Sequence, residues 1–211
     1  MGKNNKPEEK EEKEKEEIPS IVMVPEDLGK QLPRLRTVGL YGEVNETKSS
    51  ELIYTMLMMK EDGVYENDDG DTAYEPFECY VSTHGGTAAD MFAIYDVMRM
   101  IRKDCEIHTI GIGKVMSAGV LLLAAGTKGK RQISENCRVM IHSVSSHHHG
   151  SLHELKNELE EVNWIQEQNI KVLERETDMT EEFLRDLMER KTNVYLTAKE
   201  AVEYGIADEI V

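Results

Sequence analysis

The chain has 211 residues, of which 39% are hydrophobic and 31% charged, and its formal net charge is −16 at pH 7. A chain of this length can bury one substantial core, so a single domain with an added hydrophilic segment is expected. The negative charge argues against nonspecific nucleic-acid binding, because a phosphate backbone would be repelled. No apolar stretch approaches the ~20 residues of a membrane-spanning helix, and the first residues lack the order of a signal peptide. These features favour a cytoplasmic protein without a membrane or nucleic-acid partner.

Two hydrophilic segments interrupt the apolar pattern. Residues 1–17 are rich in lysine and glutamate and contain no apolar residue beyond Met1, so we expect a disordered tail and a folded domain over 18–211. A stretch at about 61–78 holds eight carboxylates and no lysine or arginine. Its spacing lacks the ligand order of an EF-hand, so an acidic, solvated loop or hairpin is expected rather than a calcium site.

The first half of the folded region alternates strand and helix patterns. Strands are predicted at 37–42, at 79–83 ahead of Gly85 and Gly86, and at 107–112. A helix is predicted at 50–60, and its apolar residues expected to face the core are Leu52, Ile53, Met56 and Leu57. A second helix is predicted at 88–102, and its core-facing residues are Met91, Ile94, Tyr95, Met98 and Ile101. This alternation predicts an α/β fold.

The second half is more helical. Ser151 and Glu154 form a capping box that opens a long helix at about 151–175. Its apolar stripe recurs at alternating three and four residues and consists of Leu152, Leu155, Leu159, Val162 and Ile165. Intramolecular packing and a subunit interface explain that stripe equally well. Thr180 is expected to cap a shorter helix, and Thr197 with Glu200 a last one that stops at Gly205.

Two residues indicate acyl-transfer chemistry. Ser117 lies between the predicted strand at 107–112 and the apolar run at 120–126, where a helix would begin. The unpaired N–H groups of a helix N-terminus suit an attacking oxygen and a developing oxyanion. His142 follows a second apolar strand that would carry it toward the same place. Each residue alone is more often structural, but the pairing favours catalysis.

Five blocks of sequence, in the same order, resemble the Clp protease family of proteolytic subunits (ClpP). They are Gly-Gly at 85–86 with Ile-Tyr-Asp at 94–96, then 113–119, 122–131, 136–142 and 201–205. The resemblance covers roughly 33–211 and is more specific than a lone serine motif. It implies the ClpP/crotonase-like α/β fold, in which repeated β-β-α units form a compact head and a long handle helix projects and serves oligomerisation.

The resemblance also implies roles for individual residues. Ser117 would be the nucleophile, His142 its general base, and the N–H groups of Gly86 and Ala118 the oxyanion hole. Asn193 stands where the family usually carries an aspartate. An asparagine oxygen can orient the imidazole but cannot supply a charge. Asp186 or Glu189 could substitute for that carboxylate, and no metal is implied.

The segment after His142 departs from the family. Members commonly carry Gln-Pro and a glycine-rich strand that binds extended peptide and contacts the opposite ring. This chain has residues 143–150 instead, with three consecutive histidines at 147–149. Because neighbouring residues of a strand point to opposite faces, we expect no designed metal site there.

The resemblance implies a serine endopeptidase that needs no cofactor of its own. It would hydrolyse unfolded polypeptides inside stacked seven-membered rings, a tetradecamer, fed by a separate AAA+ unfoldase of the ClpX or ClpA type that uses the ATP. No nucleotide-binding loop occurs in the chain. Two alternatives stay open: a catalytically impaired structural or regulatory ring subunit, which Asn193 favours, and a crotonase-type acyl-CoA enzyme, which would not need Ser117 or His142.

Overall fold

The computed structural model describes residues 35–189 and 193–211, so the predicted tail at 1–17 and the predicted start of the domain at 18 lie outside the described residues. Strands and helices alternate along most of this range. In chain order they are β1 (Thr37–Val44), α1 (Glu46–Asp62), β2 (Val64–Glu66), β3 (Thr72–Tyr74), β4 (Phe77–Gly86), α2 (Ala88–Ile101), β5 (Ile107–Met116), α3 (Ala118–Ala124), β6 (Arg131–Ile133), β7 (Arg138–Ile141), α4 (Leu152–Glu176), α5 (Glu181–Glu189), β8 (Val194–Leu196), α6 (Ala198–Glu203) and β9 (Glu209–Ile210).

Within the described residues, seven strands form one mainly parallel sheet. The strand order is β1-β4-β5-β6-β9, and β7 adds to β5 and carries β8. The β7–β8 pair is antiparallel, whereas the other pairs of this sheet are parallel. Because parallel strands need crossover connections, helices lie between them in sequence. The predicted α/β fold is confirmed, and its sheet is mainly parallel.

Strand β5 is the branch point of the sheet. Its residues 109–111 pair with β6, while residues 114–116 pair with β7. The second half of β5 therefore lies between β4 and β7, and all three run parallel there. This arrangement decides which chain segments meet at the carboxyl end of β5.

The core is built from the sheet and the helices packed on it. Every residue of α3 is buried, as its small and apolar sequence allows. In α2 the five residues predicted to face the core are all buried. In α1 the prediction is wrong at one position: Leu52 and Met56 are buried, but Leu57 is 38% exposed. The helix buries a narrow stripe, and Leu57 lies beside it.

Residues 61–78 contain a short antiparallel hairpin. Strands β2 and β3 pair with each other over three residues and are separate from the main sheet. Asn67 closes the turn, because its side chain accepts the backbone N–H groups of Asp69 and Asp71. The acidic side chains thus stand on a hairpin rather than on an irregular loop.

Helix α4 spans Leu152–Glu176 and starts with the predicted capping box, in which the Ser151 and Glu154 side chains each accept the other's backbone N–H. Only its C-terminal end is buried, at Ile170, Val172, Leu173 and Glu176. The N-terminal part of the stripe is open, with Leu152 67% and Leu159 60% exposed. Packing among the described residues therefore does not cover that part of the stripe.

Buried ion pairs fix the C-terminal end of α4 to the head. The Glu176 carboxylate accepts bonds from Arg102 and from the Tyr95 hydroxyl at 2.8–3.0 Å. Its main-chain oxygen accepts a bond from Arg131, which also pairs with Asp208. Burial opposes ionisation of Glu176, but the bonds from Arg102 and Tyr95 outweigh it and lower its pKa. Desolvation of Asp208 is likewise outweighed by Arg131, so its pKa is also lowered.

None of the helices that the structure describes is both long and apolar enough to cross a bilayer.

Candidate active site

Three parallel strands bring the candidate residues to one edge of the sheet. Strand β4 ends at Gly86, Ser117 follows β5, and His142 follows β7. The registers Thr83↔Val115 and Met116↔Met140 set these three ends side by side. Carboxyl ends of parallel strands are the usual location of sites in α/β sheets.

Ser117 has an unusual backbone. Its φ is 53° and its ψ −120°, and it is the only non-glycine residue with positive φ in the described range. The Ser117 N–H is held by Met140 O at 2.8 Å. Although Ser117 occupies the N-cap position of α3, its side chain makes no capping hydrogen bond. Such a strained strand-to-helix turn exposes the serine hydroxyl and keeps it from capping the helix.

The structure brings Ser117 and His142 into hydrogen-bond contact. The distance between Ser117 Oγ and His142 Nε2 is 2.8 Å. This is the geometry in which an imidazole can take the proton of an attacking hydroxyl. The ordinary N-cap interpretation of Ser117 does not describe its side chain, because the hydroxyl bonds to the imidazole instead.

Positions 85 and 86 have room only for glycine, because their backbone lies close to Ser117 and to β1. Gly85 has φ +99°, and a Cβ there would lie 2.6 Å from Ser117 Cβ. A Cβ on Gly86 would lie 1.9 Å from Val44 O, closer than any backbone tolerates. Ala118 is the first residue of α3, so its N–H has no acceptor within the helix. Gly86 and Ala118 both line the cavity beside Ser117.

His142 directly follows β7, and Asn193 directly precedes β8. These antiparallel strands pair Ile141 with Val194, and the paired register ends there, before it reaches His142 and Asn193. Asn193 is exposed, and no hydrogen bond joins it to His142 among the described residues. Asp186 and Glu189 lie on α5, where both are exposed, and Glu189 shares a second cavity with Ser143 and Val144.

A cavity of about 320 Å³ opens beside Ser117 and His142. Its walls come from the ends of β4 and β7, from α2 and α3, from the segment after His142 and from α4. Met91, expected only as a core residue of its helix, also lines this cavity. Sequence periodicity could not separate those two roles, because a residue at the rim of a core has the same spacing as one inside it.

The segment after His142 is not a strand in this structure. Residues 142–149 have no regular secondary structure, so the expectation of a strand with alternating faces is wrong for the single chain. The segment is held to α4 instead: Val144 N–H donates to Gln166 Oε1 at 2.8 Å, and His148 Nδ1 lies 3.4 Å from Glu158 Oε2. Nothing in the sequence around Gln166 indicated this contact. Among the described residues, no three histidine, cysteine, aspartate or glutamate side chains are placed so that they could hold a metal ion together.

The cysteines do not offer an alternative nucleophile. Cys79, Cys105 and Cys137 are all buried and unpaired. Burial raises the pKa of the Cys79 thiol to about 12 and that of Cys137 to about 11. A thiol this far from ionisation is inert at neutral pH.

Comparison with known proteins decides the family. The family model described as Clp protease matches residues 23–211. The chain therefore belongs to the Clp protease family. Membership makes it a serine-type peptidase, as the resemblance of the five sequence blocks implied, and it does not favour an acyl-CoA enzyme.

Curated relatives agree with this assignment. The ATP-dependent Clp protease proteolytic subunit 4 of Rhodococcus jostii is 35% identical over 141 residues, which are 67% of this chain and 71% of the relative. Subunit 1 of Thermobifida fusca is 33% identical over 171 residues, 80% of this chain and 71% of the relative. Subunit 3 of Frankia casuarinae is 32% identical over 181 residues, which are 86% of this chain and 79% of the relative. Since all three are named proteolytic subunits, an impaired or regulatory Clp subunit is not favoured.

Proposed function

We propose that the chain is the proteolytic subunit of an ATP-dependent Clp protease, with Ser117 as nucleophile and His142 as general base. The observation that carries this assignment is the 2.8 Å contact between Ser117 Oγ and His142 Nε2, made at a strained strand-to-helix turn in a Clp protease family chain. The reaction is hydrolysis of peptide bonds in unfolded polypeptides.

The chemistry follows from the positions of these groups. His142 Nε2 takes the hydroxyl proton as Ser117 Oγ attacks the scissile carbonyl, and it later gives that proton to the leaving amine. The N–H groups of Gly86 and Ala118 receive the oxyanion of the tetrahedral intermediate. His142 then deprotonates a water molecule that attacks the acyl-enzyme, and it returns this proton to Ser117 Oγ as the carboxylic acid product leaves. The chain needs no cofactor of its own for these steps.

Asn193 is proposed as the residue that orients His142. The β7–β8 register supports this role, because its last pair joins Ile141 and Val194, the neighbours of His142 and Asn193 in the chain. An amide oxygen that accepts the imidazole Nδ1–H keeps Nε2 free to receive the serine proton, as in Cys-His-Asn enzymes. Ser117 and His142 then carry the bond chemistry, and Asn193 holds the ring.

Assembly and partners are proposed on the names of the relatives and on the open face of α4. The relatives are ATP-dependent, so a separate AAA+ unfoldase of the ClpX or ClpA type would supply unfolded substrate. Stacked seven-membered rings would enclose the serines, and the exposed stripe of α4, the handle helix, would be covered there. A cytoplasmic location is part of the same proposal.

The test is intact-mass detection of a fluorophosphonate adduct on the size-fractionated oligomer. We expect one adduct per chain, because the contact with His142 activates Ser117 for attack on phosphorus. Ser117→Ala is the matched control and should remove the adduct while leaving the oligomer intact. A well-formed ring that stays unlabelled would contradict the assignment.

A further inference from the structure

Helix α4 presents an amide to the catalytic cavity in the middle of an apolar row. Ile165, Asn169 and Leu173 follow one another at intervals of four residues, so they share one face of the helix. All three line the cavity beside Ser117. Leu173 is buried and Ile165 is half-buried. Asn169 is therefore a polar residue where the spacing of the row predicts an apolar one.

Apolar side chains from three other elements line the same cavity. They are Met91 of α2, Val120 of α3 and Ile141 of β7. Val120 lies three residues after Ser117, and Ile141 directly precedes His142. Helix α4 packs on α3, the helix that begins directly after Ser117. The cavity can thus receive the substrate side chain attached next to the attacked carbonyl, because that side chain comes closest to Ser117.

Asn169 makes no hydrogen bond within the part of the chain that the structure describes. It is half-buried, as are three other polar residues of the cavity wall, Ser117, His142 and Ser143. Ser117 and His142 bond to each other, and Ser143 also lines the neighbouring cavity. An amide carries two N–H donors and an oxygen acceptor. A ligand that shuts this amide from water without pairing it loses binding free energy.

We propose that Asn169 makes the enzyme select substrates with glutamine at the residue whose carbonyl Ser117 attacks. The methylene groups of glutamine lie against the apolar walls, and its terminal amide exchanges hydrogen bonds with the Asn169 amide. A few polar groups among apolar walls are the usual source of specificity in a ligand pocket. The inference rests on the proposed function, since it names the substrate preference of the same site.

Other substrate side chains suit this wall less well. Methionine is about as long as glutamine, but its sulfur is only a weak acceptor, so it leaves the Asn169 amide unpaired. Lysine, arginine and glutamate would bring a charge among apolar side chains, and a neutral amide does not compensate the loss of its hydration. The comparison of glutamine with methionine therefore isolates the contribution of the amide.

Two fluorogenic peptides that differ only in this residue, glutamine or methionine, test the proposal. The fluorophore is the leaving amine and directly follows the varied residue, so the cleaved bond is fixed. We expect the size-fractionated oligomer to show a kcat/KM about threefold to tenfold higher for the glutamine peptide, the range that the net strength of a hydrogen bond gives. A ratio at or below one overturns the proposal.

Two matched variants assign the preference to Asn169. Asn169→Leu should invert the ratio, because leucine keeps the size of the side chain and completes the apolar row. Asn157→Leu makes the same substitution at an exposed position of α4 that does not line the cavity, and it should keep the wild-type ratio. Each ratio compares two peptides on one preparation, so a smaller folded fraction does not change it. A glutamine preference that survives Asn169→Leu overturns the proposal.

Fluorophosphonate labelling separates this proposal from the proposed function. Labelling of Ser117 without a glutamine preference contradicts only the role of Asn169. If neither peptide is hydrolysed, fluorescence anisotropy with the Ser117→Ala protein compares a labelled glutamine peptide with its methionine counterpart. We expect about threefold to tenfold tighter binding of the glutamine peptide, and equal binding overturns the role of Asn169.

Discussion

At the scale of single residues, Ser117 combines backbone strain with a directed side chain. A non-glycine residue with φ near 53° costs about 1–3 kcal/mol, and such conformations persist only where the surroundings enforce them. Here the bond from Ser117 N–H to Met140 O and the wholly buried α3 enforce it. The strain directs Oγ to His142 rather than back to the helix as a cap.

Asn193→Asp is expected to raise kcat/KM for a peptide substrate by at least about tenfold, because a carboxylate would stabilise the imidazolium that forms on His142. The measurement is steady-state hydrolysis of a fluorogenic peptide by the size-fractionated oligomer. Asn193→Ala is the companion variant and should lower the rate, since it removes the orienting amide.

An unchanged or lower rate in Asn193→Asp would show that Asn193 is not a weakened triad position. Glu189→Gln then becomes the informative variant, because Glu189 shares a cavity with Ser143 and Val144 next to His142. A large loss of activity in that variant would assign the role to α5 instead of to the residue before β8.

At the scale of elements, the segment after His142 depends on α4 for its position. Residues 142–149 pair with no strand, and the hydrogen bond from the Val144 N–H to Gln166 attaches the segment to α4. Gln166 also donates to Met188 Sδ, which links the same contact to α5. One amide therefore joins the segment after His142 to both α4 and α5.

Gln166→Leu is expected to raise KM severalfold and to lower kcat by a smaller factor. The substitution releases the segment after His142, which is one wall of the catalytic cavity, without changing Ser117 or His142. It also leaves the Val144 N–H without its acceptor, a cost of about 1–3 kcal/mol when that group is kept from water. The measurement is the separate determination of kcat and KM for a fluorogenic peptide.

The controls for this variant are close in chemistry. Gln166→Glu keeps an oxygen acceptor for Val144 and should restore most of the wild-type KM. Gln168→Leu makes the same substitution on another side of α4, away from the catalytic cavity, and should leave KM unchanged. If all three variants behave alike, the bond to Gln166 does not position the segment.

At the scale of the whole molecule, buried ion pairs fix the base of α4 to the head. The Glu176 carboxylate accepts hydrogen bonds from Arg102 and from the Tyr95 hydroxyl. Arg131 pairs with Asp208 and donates to the main-chain oxygens of Glu176 and Gly205. Breaking such a buried pair by removing one partner typically costs about 3–5 kcal/mol, because the remaining charge is left unpaired. In the part of the chain that the structure describes, the N-terminal part of α4 makes no comparable buried ion pair.

Stability should fall in acid through this network. The folded-state pKa values of Glu176 and Asp208 are lowered, so their contribution is fully present above the ordinary carboxylate pKa of about 4 and is lost as pH falls through the folded values. Glu176→Gln is expected to cost roughly 3 kcal/mol at pH 7 and to reduce the slope of stability against pH below about 4.5. Urea unfolding at fixed protein concentration, from pH 3 to pH 7, measures both.

The surface variant Glu160→Gln is the control and should change neither quantity appreciably, because Glu160 is exposed on α4. A Glu176→Gln protein as stable as the wild type at pH 7 would show that Arg102 finds another partner. A wild-type slope retained below pH 4.5 would show that other carboxylates set the acid sensitivity.

Much of the architecture could be predicted from local sequence. The five core residues of α2 and the capping boxes at Ser151 and Thr197 follow from periodicity and from cap chemistry, which depend on residues three or four apart. The error at Leu57 has a tertiary cause, since the spacing defines a stripe but the neighbouring elements decide how wide a stripe they cover.

By itself the sequence determined the α/β alternation, the family and the candidate identities of Ser117 and His142, because these depend on residue type and local order. Only the tertiary structure decided that Ser117 and His142 are in contact, that Gly86 has no room for a Cβ, and that Met91 lines the cavity beside them. Those facts depend on the β4–β5–β7 register and on the direction of the segment beside α4. Contacts between residues far apart in the chain leave no local pattern, so no spacing rule could supply them.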